Sequence, residues 1–246
     1  MLKTLRQKGL LWPAVMTLAA LALLISLGNW QMRRLAWKEG LLAAISERTH
    51  AAPVGLDEIV WRDENGGDIE YTRAKASGRF LHDKELFLYS FDEKHGPGYH
   101  VITPLQRADG KVLLVNRGYV PLDLKDAGKR AEGQVDGEVE IIGLVRRPET
   151  PNTFTPENNA AENMWYWRDL GPMTAALGLE PGNVMPFYLD AEAEPAPPGG
   201  WPKGGTTRLQ LTNRHLEYAL TWYGLAATLI AVFAAYAATR WRRPAP

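Results

Sequence analysis

The two ends of the chain carry long apolar runs, which constrain the fold more than any other feature of its 246 residues. The first run, Leu10–Gly28, contains no charged residue, and the second, Leu216–Ala238, contains only Glu217, near its start. About 19 helical residues rise roughly 28 Å, which is close to the hydrocarbon thickness of a bilayer. The alternative for the first run is a cleaved signal peptide, but no small-residue cleavage pattern precedes Trp30. We therefore expect transmembrane helices at residues 10–30 and 213–238.

Basic residues outside the two apolar runs predict the orientation of the chain. They lie in two short tails, at residues 1–9 and 239–246, and comprise Lys3, Arg6, Lys8, Arg240, Arg242 and Arg243. Positive charge favours the cytoplasmic side, so both termini are expected in the cytoplasm and residues 51–210 on the far side. Arg33, Arg34 and Lys38 weaken this argument for the first helix because they flank its other end.

The helical pattern of the first run continues beyond the membrane boundary to about residue 46. Trp30, Arg34 and Trp37 recur there at spacings of three and four residues. One interpretation is a collar at the level of the lipid headgroups, where tryptophan and arginine anchor helices. The other is a contact surface for a partner protein or for the second helix.

The residues between the helices predict a domain of short strands. Strands are expected at Ile69–Leu81, Glu85–Phe91, Tyr99–Leu105, Lys111–Val120, Val139–Val145, Met164–Arg168, Phe187–Ala191 and Thr206–Leu211. Asp109-Gly110 is a two-residue hairpin signal, and short helices are expected at Leu56–Val60, Leu122–Arg130 and Pro172–Leu177. The predicted fold is an α+β membrane protein, with two transmembrane helices flanking a mainly antiparallel, small barrel-like sheet with short helices.

Composition and motifs argue against several classes of function. The formal net charge of zero disfavours a protein that coats nucleic acid, and the lack of cysteine excludes disulfides and thiolate metal sites. There is no Gly-x-Ser-x-Gly elbow, Walker-type phosphate loop or His-Glu-x-x-His motif, so no enzymatic activity is predicted. Some acidic residues can pair only through folding and are expected at a solvated surface: Asp92, Glu93, Asp190, Glu192 and Glu194.

Two residues at the end of a predicted buried strand, Arg117 and Tyr119, are candidates for contact with a partner. They lie in Asn116-Arg-Gly-Tyr-Val-Pro121. Glycine after Arg117 permits an unusual backbone turn. Arg117 is interpreted either as a buried residue paired with a carboxylate or as a residue that faces a partner protein.

His215 is the strongest candidate for chemistry because it lies where the second apolar run begins. An ionisable residue beside a membrane span is a functional candidate by default. Helical spacing places Tyr218 and Trp222 along the same face. Imidazole is an axial ligand of haem iron, and flat side chains pack against the macrocycle, while Arg214 or Arg34 at the same depth can pair with propionates. The alternative is an interfacial histidine that hydrogen-bonds a headgroup or the strand domain.

Four ordered motifs resemble the surfeit locus protein 1 family. They are Leu27-Gly-Asn-Trp-Gln31 followed by Arg34 and Trp37-Lys38, then Gly98-Tyr-His-Val-Ile-Thr-Pro-Leu105, Val115-Asn-Arg-Gly-Tyr-Val-Pro121 and Asn213-x-His215-Leu-x-Tyr218-Ala-x-Thr-Trp222. Tyr119 stands where the family often has tryptophan. The resemblance implies an assembly factor for haem-copper cytochrome c oxidase.

The same resemblance implies a cofactor and partners. Haem a would be bound with His215 as the axial ligand of the iron, with Trp222 at the matching aromatic position, and passed to the catalytic subunit of the oxidase. The enzyme that makes haem a is a further partner, membrane lipid surrounds the helices, and nucleic acid is not a partner. The implied location is the inner membrane of a bacterium, with the central domain in the periplasm. The alternative function is a haem-independent membrane scaffold that stabilises an oxidase assembly intermediate.

Overall fold

The computed structural model describes residues 6–207, 209 and 212–242, which separate into two compact units. One unit, called here the β domain, is Ile45–Leu209. The other, called the helix pair, is formed by the first long helix up to Ala44 and the second long helix. Lys3, Arg243 and Arg208, with part of the strand predicted at Thr206–Leu211, lie outside the described residues.

Both predicted long helices are present. Helix α1 is Leu11–His50 and the last helix, α4, is His215–Arg242. Each is long and apolar enough to cross a membrane, and only 6% and 11% of their most apolar windows are buried within the protein. Their length, apolar character and exposure are compatible with membrane anchoring. α1 continues without a break through the predicted interfacial segment and four residues beyond residue 46.

In its described residues, the β domain contains seven strands and two α-helices. The strands are β1 (Val54–Gly55), β2 (Arg73–Phe80), β3 (Leu86–Asp92), β4 (Gly96–Gln106), β5 (Val112–Pro121), β6 (Glu138–Arg146) and β7 (Val184–Ala191). Helix α2 is Leu56–Glu64 and α3 is Leu170–Ala176. The remaining helical segments are short 3₁₀ turns at His82–Lys84, Leu122–Leu124, Ala127–Gly133, Pro181–Asn183 and Pro198–Gly200.

Five of the strands close into a barrel. The sheet order is β1-β2-β6-β7-β5-β4-β3, and an additional pairing of β2 with β4 joins the two sides. β1 and β3 therefore lie outside the closed ring of β2, β6, β7, β5 and β4. The pairs β1–β2 and β5–β7 are parallel, and the others are antiparallel. The predicted mainly antiparallel, barrel-like fold is confirmed.

Two apolar clusters on opposite faces of β5 explain why nearly the whole strand is buried. In β2 the buried residues alternate with exposed ones, as expected for a strand with one face on a core. In β5, Leu113 and Val115 join one cluster, while Leu114 joins a second with Trp165 and Met173. Because both faces are covered, β5 reads as a continuous apolar run rather than an alternating one.

Several local predictions need correction. The β4–β5 hairpin is present, but three residues form its loop, and Gly110, with a φ of +83°, takes the left-handed position that follows a type I turn. Met164–Arg168 is not a strand: Trp165 makes a single bridge to Leu88. The helix predicted at Leu122–Arg130 is two 3₁₀ turns, and the described residues of Thr206–Leu211 form no strand.

Candidate functional site

Small residues allow the two long helices to approach each other closely. A Cβ atom added to Gly28 of α1 would lie 2.4 Å from Cε1 of Tyr223 in α4, so only glycine admits this ring. Ala219 and Ala226 of α4 are buried as well. Small residues at a contact between apolar helices let their backbones approach, which replaces the hydrophobic effect as a source of packing in lipid.

Three polar contacts tie α1 to the second helix and the residues before it. The hydroxyl of Tyr223 donates to Oδ1 of Asn29 at 2.8 Å, and Nδ1 of His215 lies 2.7 Å from Oε1 of Gln31. Lys38 donates from Nζ to the carbonyl oxygen of Thr212. In these three contacts, a higher residue number in α1 goes with a lower residue number in the partner segment. The two helices therefore run antiparallel.

Hydrogen bonds fix both the backbone and the side chain of His215. It is the first residue of α4, and its amide N–H donates to Oδ1 of Asn213 at 3.4 Å. Its half-buried imidazole is bonded through Nδ1 to Gln31, which is itself buried. Within residues 6–207, 209 and 212–242, Nε2 has no hydrogen-bond partner.

The partner of Nδ1 determines the chemistry of Nε2. An amide oxygen only accepts, so Nδ1 carries the proton in the neutral imidazole and Nε2 carries the lone pair. Histidines that ligate metals typically donate their other ring N–H to a carbonyl or carboxylate oxygen in this way. The arrangement therefore fits a single axial ligand for a metal cargo. The described residues contain no cluster of three or more metal-ligating side chains.

Tyr218 and Trp222 lie on the flank of α4 next to its contact with α1. Helix geometry places them about 100° and 60° from the direction of the buried Ala219. Tyr218 is exposed and Trp222 half-buried. Both share a side of the helix with His215 through spacing, and no ring contact joins the three in the part of the chain described.

The two predicted arginines are exposed beside the helix contact. The guanidinium carbon of Arg214 lies 6.0 Å from the centre of the Tyr218 ring, and its Nε donates to Glu217 at 2.9 Å. On α1, Arg34 lies about 60° around the helix from Gln31 and stacks 4.9 Å from the centre of the Trp37 ring. Both guanidinium groups thus lie against an aromatic ring on their own segment.

Trp30 and Trp37 lie together on a flank of α1, to one side of Gln31. They lie about 100° and 120° around α1 from Gln31, and 47% and 58% of their surfaces are exposed. Their exposed surface is available to the lipid interface or to a partner protein, as predicted for an interfacial segment.

Arg117 and Tyr119 are interior residues of the β domain, and both side chains are buried. Arg117 pairs with Glu85 at 3.3 Å, and Arg130 binds the same carboxylate. Burial lowers the pKa of Arg117 to about 10, which still leaves the guanidinium charged at neutral pH. Of the two interpretations of Arg117, the geometry supports the buried ion pair.

Tyr119 is fixed by backbone and hydroxyl contacts. Its hydroxyl donates to the carbonyl oxygen of Gly96 at 2.9 Å, and its amide bonds the carbonyl of Lys203. Gly118 before it has a φ of +120°, and an added Cβ would lie 1.9 Å from the oxygen of Lys203, so this turn requires glycine.

Asp190 is the second centre of charge in the β domain, and its prediction as a solvated residue is wrong. It is 3% exposed and accepts hydrogen bonds from Asn116, Arg146, Arg168 and Thr207. The sequence gives no direct signal for this cluster because its members come from five separate parts of the chain. It is a structural centre, since each of these four residues directs a donor to the carboxylate.

The cavity near Arg117 is lined by both apolar and charged side chains. It has a volume of about 200 Å³, and its lining is largely apolar, with Phe80, Val139 and Ile141 among its walls. The guanidinium in its wall is already neutralised by Glu85. Glu140, Glu192 and Glu194 also line the cavity, and Glu192 pairs with Arg73 at 2.6 Å.

Gln31 belongs to the helix contact around His215, and the sequence alone indicates no role for it. It lies within the first of the four ordered motifs, but a lone glutamine on an apolar helix does not reveal its partner. The available signal was its position: Gln31 lies one turn from Gly28 and one heptad from Lys38, on the face where the two helices meet.

Known proteins with similar sequences identify the group to which the chain belongs. The model of the SURF1 family matches residues 18–227. Surfeit locus protein 1 of Homo sapiens is 39% identical over 217 residues, covering 82% of this chain and 69% of the human protein. The SURF1-like protein of Monosiga brevicollis is 36% identical over 242 residues, covering 93% and 87% of the two chains. The chain therefore belongs to the SURF1 family.

Proposed function

We propose that the protein is an assembly factor for haem-copper cytochrome c oxidase that carries haem a and delivers it to the catalytic subunit. Membership of the SURF1 family supports the role in oxidase assembly. The haem-binding part of the proposal depends on one observation: His215 is bonded through Nδ1 to Gln31, which leaves the lone pair of Nε2 for a cargo metal. Haem a is a cargo here, not a resident cofactor.

The location proposed for the chain is the inner membrane of a bacterium. α1 and α4 have the length and apolar character of membrane spans and bury little of that surface within the protein. In this arrangement both termini are cytoplasmic and the β domain is periplasmic, as the basic residues at the chain ends favour. His215, as the first residue of α4, then lies where the second helix enters the membrane from the outer side.

The side chains around His215 have roles in the proposal that follow from their chemistry. Tyr218 and Trp222 supply flat surface on the flank beside His215, which suits a macrocycle. Arg214 supplies a guanidinium for a propionate; its present partner, Glu217, is exposed, and exposed ion pairs are weak enough to exchange. Arg34 is a second candidate for the same role, from α1.

A haem-independent scaffold is the alternative, and one observation favours it. Trp30 and Trp37 expose large aromatic surfaces on one flank of α1. Tryptophan is enriched in the energetic centres of protein interfaces. In this alternative these residues bind the oxidase catalytic subunit or the enzyme that makes haem a.

An absorption spectrum of the full chain, purified in detergent from cells that make haem a, tests the proposal. We expect bound haem a, and we expect His215→Ala to change the spectrum and weaken binding because the axial ligand is lost. His50→Ala is the matched control, since His50 is an exposed histidine at the C-terminal end of α1 that, among the described residues, bonds to Ser46 and Thr49 of its own helix. A spectrum unchanged by His215→Ala refutes the ligand assignment. Co-purification of oxidase subunits with a protein that takes up no haem favours the scaffold.

A further inference from the structure

Gln31 is a buried polar side chain on an apolar helix, and such a group requires a reason. Its surface is 9% exposed, and it lies on the face of α1 that meets α4. A polar group in such a contact is destabilising unless it is hydrogen-bonded. The oxygen of its amide is bonded to Nδ1 of His215 at 2.7 Å, a short and therefore favourable contact.

This bond selects between two forms of the imidazole. A neutral histidine carries one ring proton, on Nδ1 or on Nε2, and only the unprotonated nitrogen can bind a metal. The amide oxygen of Gln31 stabilises the form protonated on Nδ1. Without that acceptor, the form protonated on Nε2 is also populated, and in that form the nitrogen facing away from α1 carries no lone pair.

We infer that Gln31 is a positioning residue that fixes the tautomer and ring orientation of His215 and thereby makes Nε2 the coordinating atom. The inference deepens the proposed function, on which it rests for the identity of the cargo. The tautomer itself is a property of the cargo-free protein. The role of Gln31 in setting the tautomer and the proposed binding of haem a can therefore be refuted separately.

Two substitutions at Gln31 separate its hydrogen bond from its shape. Gln31→Leu has a similar size and removes the acceptor. Gln31→Glu keeps an acceptor oxygen at the same reach, and carboxylate partners of ligating histidines raise their basicity. Asn29→Leu is the matched control, because it removes the neighbouring amide–hydroxyl bond between the same two helices and leaves His215 untouched.

Nitrogen NMR of the cargo-free full chain in detergent, labelled with ¹⁵N-histidine, reads the tautomer directly. At about pH 8.5, where an ordinary imidazole is neutral, we expect His215 to be protonated on Nδ1 in the parent protein and in Asn29→Leu. Gln31→Leu should shift the signals towards the form protonated on Nε2, and His215→Ala assigns them. A parent protein protonated on Nε2, or a Gln31→Leu spectrum identical to the parent, overturns the inference.

Titration with ferric haem a, followed by absorption, measures the consequence. Loss of a partner of this kind typically weakens metal binding by about 10–100-fold. We expect a loss of that size for Gln31→Leu, recovery in Gln31→Glu and little change in Asn29→Leu. Equal losses in Gln31→Leu and Asn29→Leu would show that the bond acts only by packing the helices and would refute the positioning role. If no form binds haem a while the tautomer behaves as expected, the proposed function fails and the role of Gln31 in setting the tautomer stands.

Discussion

Replacing Asp190 with asparagine tests whether the β domain depends on a buried charge. The substitution preserves the shape of the side chain and exchanges one carboxylate oxygen for an NH₂ group. In the folded domain this group would face N–H or O–H donors from Arg146, Arg168 and Thr207, which now bond to Asp190 at 3.3, 3.1 and 2.9 Å. The change therefore removes a negative charge and places donors against donors.

The size of the effect follows from the burial of the ions. The side chains of Asp190 and Arg168 are 3% and 7% exposed, so neither is well screened by water. Breaking a buried pair by removing one partner costs about 3–5 kcal/mol. Arg168 keeps Glu149 at 2.9 Å and Arg146 keeps Glu70 at 2.7 Å, so we expect the lower end of that range, about 3 kcal/mol. For a domain of this size the melting temperature should fall by roughly 6–12 °C.

Thermal unfolding of the full chain in detergent, followed by near-ultraviolet circular dichroism, measures the loss. Asp68→Asn is the control, because Asp68 pairs with Arg48 at 2.6 Å but its side chain is 62% exposed. An exposed pair contributes about 0–1 kcal/mol, so this variant should melt close to the parent protein. The reasoning is refuted if Asp190→Asn melts within the same range as Asp68→Asn. A double-mutant cycle of Asp190→Asn with Arg168→Met then shows how much of the loss belongs to this pair.

Two further predictions concern the helix contact and the alkaline limit of stability. Gly28→Leu should displace the Tyr223 ring and destabilise the helix pair by about 1–3 kcal/mol. The loss should appear as faster amide hydrogen exchange in α4. Gly224→Leu is the control and should leave exchange unchanged, because nothing lies within 4 Å of a Cβ added at Gly224. Burial raises the pKa of Tyr188 above its ordinary value, so the unfolded chain ionises first and stability falls above about pH 10, by up to ~1.4 kcal/mol per pH unit. Tyr188→Phe should unfold in urea with a smaller dependence on pH over that range, and an equal dependence in both proteins would contradict this assignment.

The sequence predicts elements whose pattern is local and repeated. α1 and α4 could be predicted because a run of about 19 consecutive apolar residues is typical of a transmembrane helix. β2 and the β4–β5 hairpin could be predicted from alternation and from Asp109-Gly110, although the loop is one residue longer than the signal suggests. Closure of the barrel could not be predicted in detail, because the pairing of β2 with β4 joins residues far apart in sequence.

Failures of prediction arise where a residue's partner is distant. Asp190 resembles any surface aspartate in sequence, and only folding brings Arg146, Arg168 and Asn116 around it. Met164–Arg168 is apolar enough for a strand, yet it crosses β3 at a single bridge and is held by side-chain contacts such as Asn163 to Trp165. The contact of Gln31 could not be predicted for the same reason, because its partner, His215, is 184 positions away in the sequence.

The buried ions of the β domain and the histidine of the helix pair differ in how completely they are paired. This difference indicates which of them is available to a ligand. Glu85 and Asp190 are each bound by two arginines, so their charges are neutralised and stabilise the barrel. His215 is only half satisfied in the residues that the structure describes: Nδ1 is bonded to Gln31, and Nε2 has no hydrogen-bond partner. A fully paired charge serves stability, because engaging it with a ligand would break existing bonds. A fixed, partly exposed imidazole with one unused nitrogen can gain a ligand at no such cost, so the end of the helix pair, rather than the charged interior of the barrel, is where binding of a cargo metal should be sought.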